Sequence, residues 1–123
     1  MQFDHINISA PAALLKQERD FLCEVFAVKE GFRPDFSRSG YWLYHGENAF
    51  FHLMESELHN KPEQPAHLDH VALRMQGLGD FLQKLKSLEI DYKIMTQKAL
   101  SITQVFFYTP SAIRLEVVFH ESL

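Results

Sequence analysis

The sequence is short of the residues that would pull it toward several common protein classes. It has a single cysteine among 123 residues, Cys23. One thiol cannot close an internal disulfide, so a secreted disulfide scaffold is excluded and a reducing compartment is expected. There is no basic excess: 12 Lys and Arg stand against 16 Asp and Glu, for a formal net charge of -4. That balance argues against a non-specific nucleic-acid or polybasic membrane surface. No apolar run approaches the roughly 20 residues a membrane span needs. The segment Met1-Gln2-Phe3-Asp4-His5 has neither the basic nor the apolar stretch of a signal peptide. The expectation is a soluble, cytoplasmic domain with no nucleic-acid or membrane partner. At 46% hydrophobic and 23% charged, the composition is that of a packed globule.

Histidine and phenylalanine are plentiful, with seven of the first and eleven of the second. Their placement reveals a duplication. Phe3-Asp4-His5-Ile6-Asn7-Ile8-Ser9 returns 65 positions later as Leu68-Asp69-His70-Val71-Ala72-Leu73-Arg74. Each copy is followed by apolar residues at helical spacing: Leu14, Leu15, Phe21, Leu22, Val25 and Phe26 after the first, and Leu78, Phe81, Leu82, Leu85 and Leu88 after the second. Strand-like stretches follow. They are an uncertain edge segment at 30–36 interrupted by Pro34, then 41–44 and 49–54, and in the second half 91–95, 102–108 and 113–119. The order reads β-α-β-β-β twice. The expected organisation is one domain over 1–123, with module one at about 1–56, a polar linker at about 57–66 and module two at about 67–123. Neither half can cover its apolar face alone, so the two are expected to pack together.

Strand alternation then sorts the side chains. Ile6 and Ile8 take one face of the first strand, with His5, Asn7 and Ser9 on the other. Val71, Leu73 and Met75 oppose His70, Ala72 and Arg74 in the repeat. At the end of each module, His52 falls with Phe50 and Met54, and Glu116 falls with Arg114 and Val118. His52 and Glu116 are 64 positions apart, so they too are repeat equivalents. Four candidate metal ligands, His5, His52, His70 and Glu116, thus occupy two duplicated pairs. Imidazole with carboxylate and no thiolate suits a divalent Zn, Ni, Fe, Mn or Co ion with positions left open for substrate.

A lone inward histidine is usually a satisfied core residue. Three donors at duplicated positions read better as ligands. His52 is open between a fourth ligand, a hydrogen-bond donor behind the ligands and a base. Asn7, Arg74 and Arg114 share the inner face and are candidate substrate-binding residues, although the plainer role for either arginine is a charge partner for Glu116 or a place at the sheet rim. Tyr41, Leu43, Phe50, Met54, Phe106 and Tyr108 are candidates to line an apolar pocket, or simply core. His45, His59, His67 and His120 read as solvated, and Cys23 as a packing residue.

Asp4-His5-Ile6, Phe51-His52-Leu53, Asp69-His70-Val71-Ala72-Leu73 and Arg114-Leu115-Glu116-Val117 together resemble the vicinal-oxygen-chelate superfamily. Glyoxalase I, extradiol dioxygenases, fosfomycin-resistance proteins and bleomycin-resistance proteins belong to it. The resemblance implies an α+β fold of two tandem βαβββ modules in a curved, mostly antiparallel, cup-like sheet with helices outside. It implies a divalent metal on His5, His52, His70 and Glu116, a small-molecule substrate and a homodimer. The implied activity is a glyoxalase I-like lyase or isomerase with enediolate stabilisation, in which Glu116 or His52 serves as base. The alternatives are a small extradiol-type dioxygenase and a metal-free ligand-sequestering protein of the bleomycin-resistance kind. Two features depart from glyoxalase I: His52 stands where it has Glu, and Thr109-Pro110-Ser111-Ala112 replaces the family's Asp-Pro-x-Gly turn.

Overall fold

The computed structural model describes all 123 residues. Two compact units divide at Lys61/Pro62. The first runs β1 (Ile6–Ala10), α1 (Ala12–Phe26), β2 (Lys29–Gly31), β3 (Gly40–His45) and β4 (Asn48–Glu55). The second runs β5 (Val71–Arg74), α2 (Leu78–Ser87), β6 (Lys93–Gln97), β7 (Ile102–Tyr108) and β8 (Arg114–Phe119), with a single 3-10 turn at Lys98–Leu100. Each unit has its own four-stranded sheet, ordered β1-β4-β3-β2 and β5-β8-β7-β6. In both, the first strand pairs with the last in parallel and the other pairings are antiparallel. This is the expected α+β architecture of two βαβββ modules. No helix is long and apolar enough to cross a membrane.

The register makes the duplication geometric. Asn7 faces His52 and His52 faces Trp42 across β1, β4 and β3. Ala72 faces Glu116 and Glu116 faces Phe106 across β5, β8 and β7. The strands alternate as anticipated, with one side turned to the helix. In module one, Ile8, Ala10, Leu43, Phe51 and Leu53 are buried with Leu15, Leu22 and Val25 of α1. In module two, Phe81 of α2 packs against Phe107 and Phe119 at ring separations of 5.9 and 5.4 Å. Fully burying one such side chain stabilises the fold by about 1.5–3 kcal/mol. The N-terminus of α2 is capped from far along the chain. The Glu121 carboxylate accepts from the backbone N–H groups of Gly77 at 2.8 Å and Leu78 at 3.2 Å, satisfying donors that no helical carbonyl reaches.

Three expectations shift. The edge segment placed at 30–36 is the three-residue β2, because Pro34 and the residues around it form a loop. His5 and His70 each sit one residue ahead of β1 and β5, where backbone pairing has not begun. Tyr41 and Leu43 do not face the candidate site. Leu43 is fully buried on the helix side, and Tyr41 lies beneath the Arg19 guanidinium of α1 at 4.6 Å. The turn before β8 is made without glycine: Ala112 adopts φ 64, and the Thr109 N–H donates to the Ile113 carbonyl at 3.0 Å.

Ala27, which ends α1, is likewise left-handed at φ 56. A Cβ in that conformation costs about 1–2 kcal/mol, partly offset by the greater freedom of glycine in the unfolded chain. Ala27→Gly and Ala112→Gly are therefore each expected to raise stability by up to about 1 kcal/mol in urea unfolding. A loss of stability in both would refute the strain assigned to these positions.

Candidate metal and substrate site

In module one, three rings stack. His5 and His52 lie 3.7 Å apart and 9° from parallel, and the Trp42 ring lies 4.0 Å from His52 at 15°. The β3–β4 register puts Trp42 directly opposite His52, and the turn into β1 lays His5 against the His52 ring. The Nδ1 of His5 is held by Asp4 Oδ1 at 2.6 Å, which leaves Nε2 as its outward nitrogen. Asn7, also opposite His52, accepts from the Ser9 hydroxyl at 3.5 Å. Stacking limits what the pair can do. Imidazole lone pairs lie in the ring plane, so two nearly parallel rings direct theirs along parallel lines and do not converge on one ion. With neighbouring rings on His5 and Trp42, His52 meets other groups through its edge.

The His52 imidazolium is disfavoured, chiefly by burial and next by the neighbouring His5, with a smaller push from the Arg33 charge. A hydrogen bond with the Ala49 backbone and the Asp4 charge work the other way. The net shift is downward, leaving the ring neutral around pH 7 with a nitrogen able to take a proton.

In module two, the equivalent row holds an imidazole and a carboxylate. His70 Nε2 lies 3.1 Å from Glu116 Oε1, and His70 Nδ1 lies 2.8 Å from Asp69 Oδ2. Glu116 is 5% exposed, and its Oε2 accepts from Gln104 Nε2 at 3.1 Å. Gln104 Oε1 is itself buried without a partner. Arg114 lies over the Phe106 ring at 4.4 Å and donates from Nη1 to Asp69 Oδ2 at 2.6 Å. The hydrogen bond from His70, helped by Arg114, holds the Asp69 carboxyl below the usual carboxylate range.

Two donors at right angles, each about 2.1 Å from an ion, lie about 3.0 Å apart. The His70–Glu116 separation matches that. Asp4 and Asp69 do for the two histidines what carboxylates behind metal-bound imidazoles do generally: they fix the tautomer and ring orientation and leave Nε2 to the ion. The donor set therefore fits a divalent metal. No three His, Cys, Asp or Glu side chains are grouped to hold an ion, and each module by itself supplies one pair.

The structure brings together His5 with His52, and His70 with Glu116. Arg114 pairs with Asp69 and not with Glu116. Arg74 is exposed, without an ion pair, in the row of Val118. His45, His67 and His120 are exposed, as expected, while His59 shares a 2.7 Å hydrogen bond with Ser56. Burial pushes the Cys23 thiol up, which fits its reading as a packing residue. Sequence reasoning missed Trp42, Gln104 and the aspartates. The repeated Asp-His pair was the available signal for Asp4 and Asp69. Trp42 and Gln104 needed the strand register.

No protein-family model matches the chain, and no curated protein matches it. Solved structures do. A glyoxalase-family protein from Bacillus anthracis superposes with a TM-score of 0.76 at 20% identity, over 97% of this chain and 94% of that one. The fosfomycin resistance protein FosX from Listeria monocytogenes gives 0.74 at 15%, over 97% and 93%. An integron cassette protein from the mobile metagenome of the Halifax Harbour sewage outfall gives 0.66 at 16%, over 99% and 100%. The chain has the fold of these proteins along its whole length. One FosX structure is a complex with Mn(II) and sulfate.

The low imidazolium stability of His52 gives a pH test. The neutral folded ring contributes stability that is complete above the ordinary histidine value of about 6.5 and declines as pH falls from there through the folded value. In histidine-resolved NMR, His52 is expected to titrate below that value, and Trp42→Leu to move it upward by exposing the ring. An ordinary midpoint unmoved by Trp42→Leu would contradict the burial argument.

Proposed function

We propose that the protein is a metal-dependent enzyme in which His5, His70 and Glu116 hold one divalent ion and His52 is the base. The observation that carries this reading is the duplicated Asp-His arrangement, Asp4 on His5 and Asp69 on His70, with the His70 Nε2 beside the Glu116 carboxylate. Two imidazoles and one carboxylate suit Zn, Ni, Fe or Mn. The Mn(II) in FosX supports a divalent ion in this fold. A homodimer is the assembly we propose.

When bound, the ion would polarise two adjacent oxygens of a small substrate and stabilise negative charge building on them. The residues divide the remaining work. Glu116 Oε1 lies beside His70 Nε2 and its Oε2 accepts from Gln104, which suits a fixed ligand better than a group that must pick up and release a proton. His52 is neutral, and its ring edge offers a nitrogen to a substrate C–H or O–H proton. Asn7, Arg74 and Arg114 lie on the same faces as the ligands. Arg114 is tied to Asp69 and steadies His70, and Asn7 and Arg74 are the better placed to meet substrate. Proton removal beside a carbonyl, assisted in this way, is lyase or isomerase chemistry of the glyoxalase I type.

The free edge of His52 also favours a second reading, an extradiol-type dioxygenase with the same three ligands. Iron or manganese in the purified protein and oxygen uptake with a catechol would select it. A metal-free sequestering protein has no use for the aspartate-held histidines.

Elemental analysis of protein incubated with Zn, Ni, Mn or Fe tests the ligand set. Near-stoichiometric metal is expected in the wild type and in His52→Ala, and loss in His5→Ala, His70→Ala and Glu116→Ala. Asp69→Ala should weaken metal affinity by about 10–100-fold through His70. A wild type that stays empty with all four metals would overturn both enzyme readings, and loss of metal in His52→Ala would make it a fourth ligand.

A further inference from the structure

Three arginines are half-buried, and each lies over an aromatic ring: Arg19 on Tyr41 at 4.6 Å, Arg114 on Phe106 at 4.4 Å and Arg33 on Phe36 at 4.8 Å. Carboxylates complete the first two. Arg19 meets Asp20 at 2.9 Å and Glu30 at 3.6 Å, and Arg114 meets Asp69 at 2.6 Å. Arg33 has no carboxylate. Its Nη2 donates to the Arg38 carbonyl at 3.0 Å, and its Nε is buried without a partner. A half-buried guanidinium with an unpartnered Nε and no counter-charge is unfavourable, and more notable in a chain with 16 acidic residues against 12 basic.

The location of Arg33 joins it to the candidate site. Its loop follows Gly31, which the register places opposite Trp42 and so in the row of His52. Phe36, beneath the guanidinium, contacts Trp42 at 6.1 Å, and Trp42 stacks on His52. Gly40 lies beside the guanidinium. A Cβ there would stand 3.1 Å from Arg33 Nη2 and would collide with the Leu53 carbonyl.

We propose that Arg33 is an anion-binding residue of this site, taking an oxyanion group of the substrate through the edge of its guanidinium that Arg38 does not use. The fork of N–H donors matches two oxygens of a carboxylate or of a phosphorus oxyanion. The inference rests on the reading that the His52 face takes the substrate. It assigns that substrate a class: a small organic anion whose charged end lies at Phe36 and Arg33, with its reacting end beside His52.

The test uses dialysed, metal-free protein, so that its failure is separate from failure of the metal reading. Acetate and inorganic phosphate are titrated while NMR follows the Arg33 Nε–H and the indole N–H of Trp42, the only tryptophan. A saturable shift with one of the two probes is expected, and the responding probe distinguishes a carboxylate from a phosphorus oxyanion. The Trp42 response should weaken at least tenfold in Arg33→Gln, be partly restored in Arg33→Lys and be unchanged in Arg38→Gln, which removes a like charge from the same loop. Arg33→Lys retains a cation and a long stem, so it carries the test if Arg33→Gln does not fold. Metal affinity of Arg33→Gln should equal that of the wild type. No saturation with either probe, or equal binding by wild type and Arg33→Gln, would overturn the proposal. So would equal weakening in Arg38→Gln, because a general loop charge would then suffice.

Discussion

The parallel pairing of the first and last strands within each module is the constraint on which everything else depends. It sets Asn7 opposite His52 and Ala72 opposite Glu116, bringing residues more than 40 positions apart into adjacent rows. The residue two places before each row is the histidine that follows an aspartate. Had these strands paired elsewhere in the sheet, or slipped by one residue, the donors would point into the helix-facing core. The buried apolar sides, Ile8, Phe51 and Leu53 in one module and Leu115, Val117 and Phe119 in the other, penalise such a slip. The same burial that stabilises each sheet thus fixes the chemistry on its other face.

The two modules use that scaffold differently. Module two pairs an imidazole with a carboxylate at ligand spacing, with Asp69 accepting from His70, Gln104 donating to Glu116 and Arg114 donating to Asp69. Module one replaces the carboxylate with a second imidazole, and stacking on His5 and Trp42 takes the place of the hydrogen-bond network. Stacked rings leave only an edge to work with, and burial keeps the His52 edge neutral. One repeat therefore resembles a ligand platform, and the other a ligand beside a proton acceptor. Of the arginines stacked on rings, Arg114 has a carboxylate partner in Asp69 and Arg33 has none.

Much of this was legible in the sequence because it rests on period and repetition. The 65-residue repeat of Asp-His, the helical stripes and the two-residue alternation around His52 and Glu116 carry the module order and the faces of the paired donors. Phase was harder to read. Tyr41-Trp42-Leu43-Tyr44 is apolar on both sides, so alternation alone could not tell that Trp42 meets His52 while Leu43 enters the core; only the pairing with β4 decides it, and the bulge after Leu43 breaks the period there. Side-chain partners lay further out of reach. Arg114 stands two residues from Glu116 on one strand face, yet Asp69, in the segment just ahead of β5, captures it at 2.6 Å. The stacking that separates the role of His52 from that of His5 has no signature in one dimension.

A divalent ion held by two aspartate-steadied imidazoles and one carboxylate is the chemistry we propose for this protein. X-ray absorption at the metal edge of the loaded protein tests this most directly, because scattering from imidazole rings reports how many are bound. Two imidazoles are expected, with oxygen donors making up the rest, and the same count in His52→Ala. A shell with three imidazoles that falls to two in His52→Ala, or one with no imidazole at all, would contradict it.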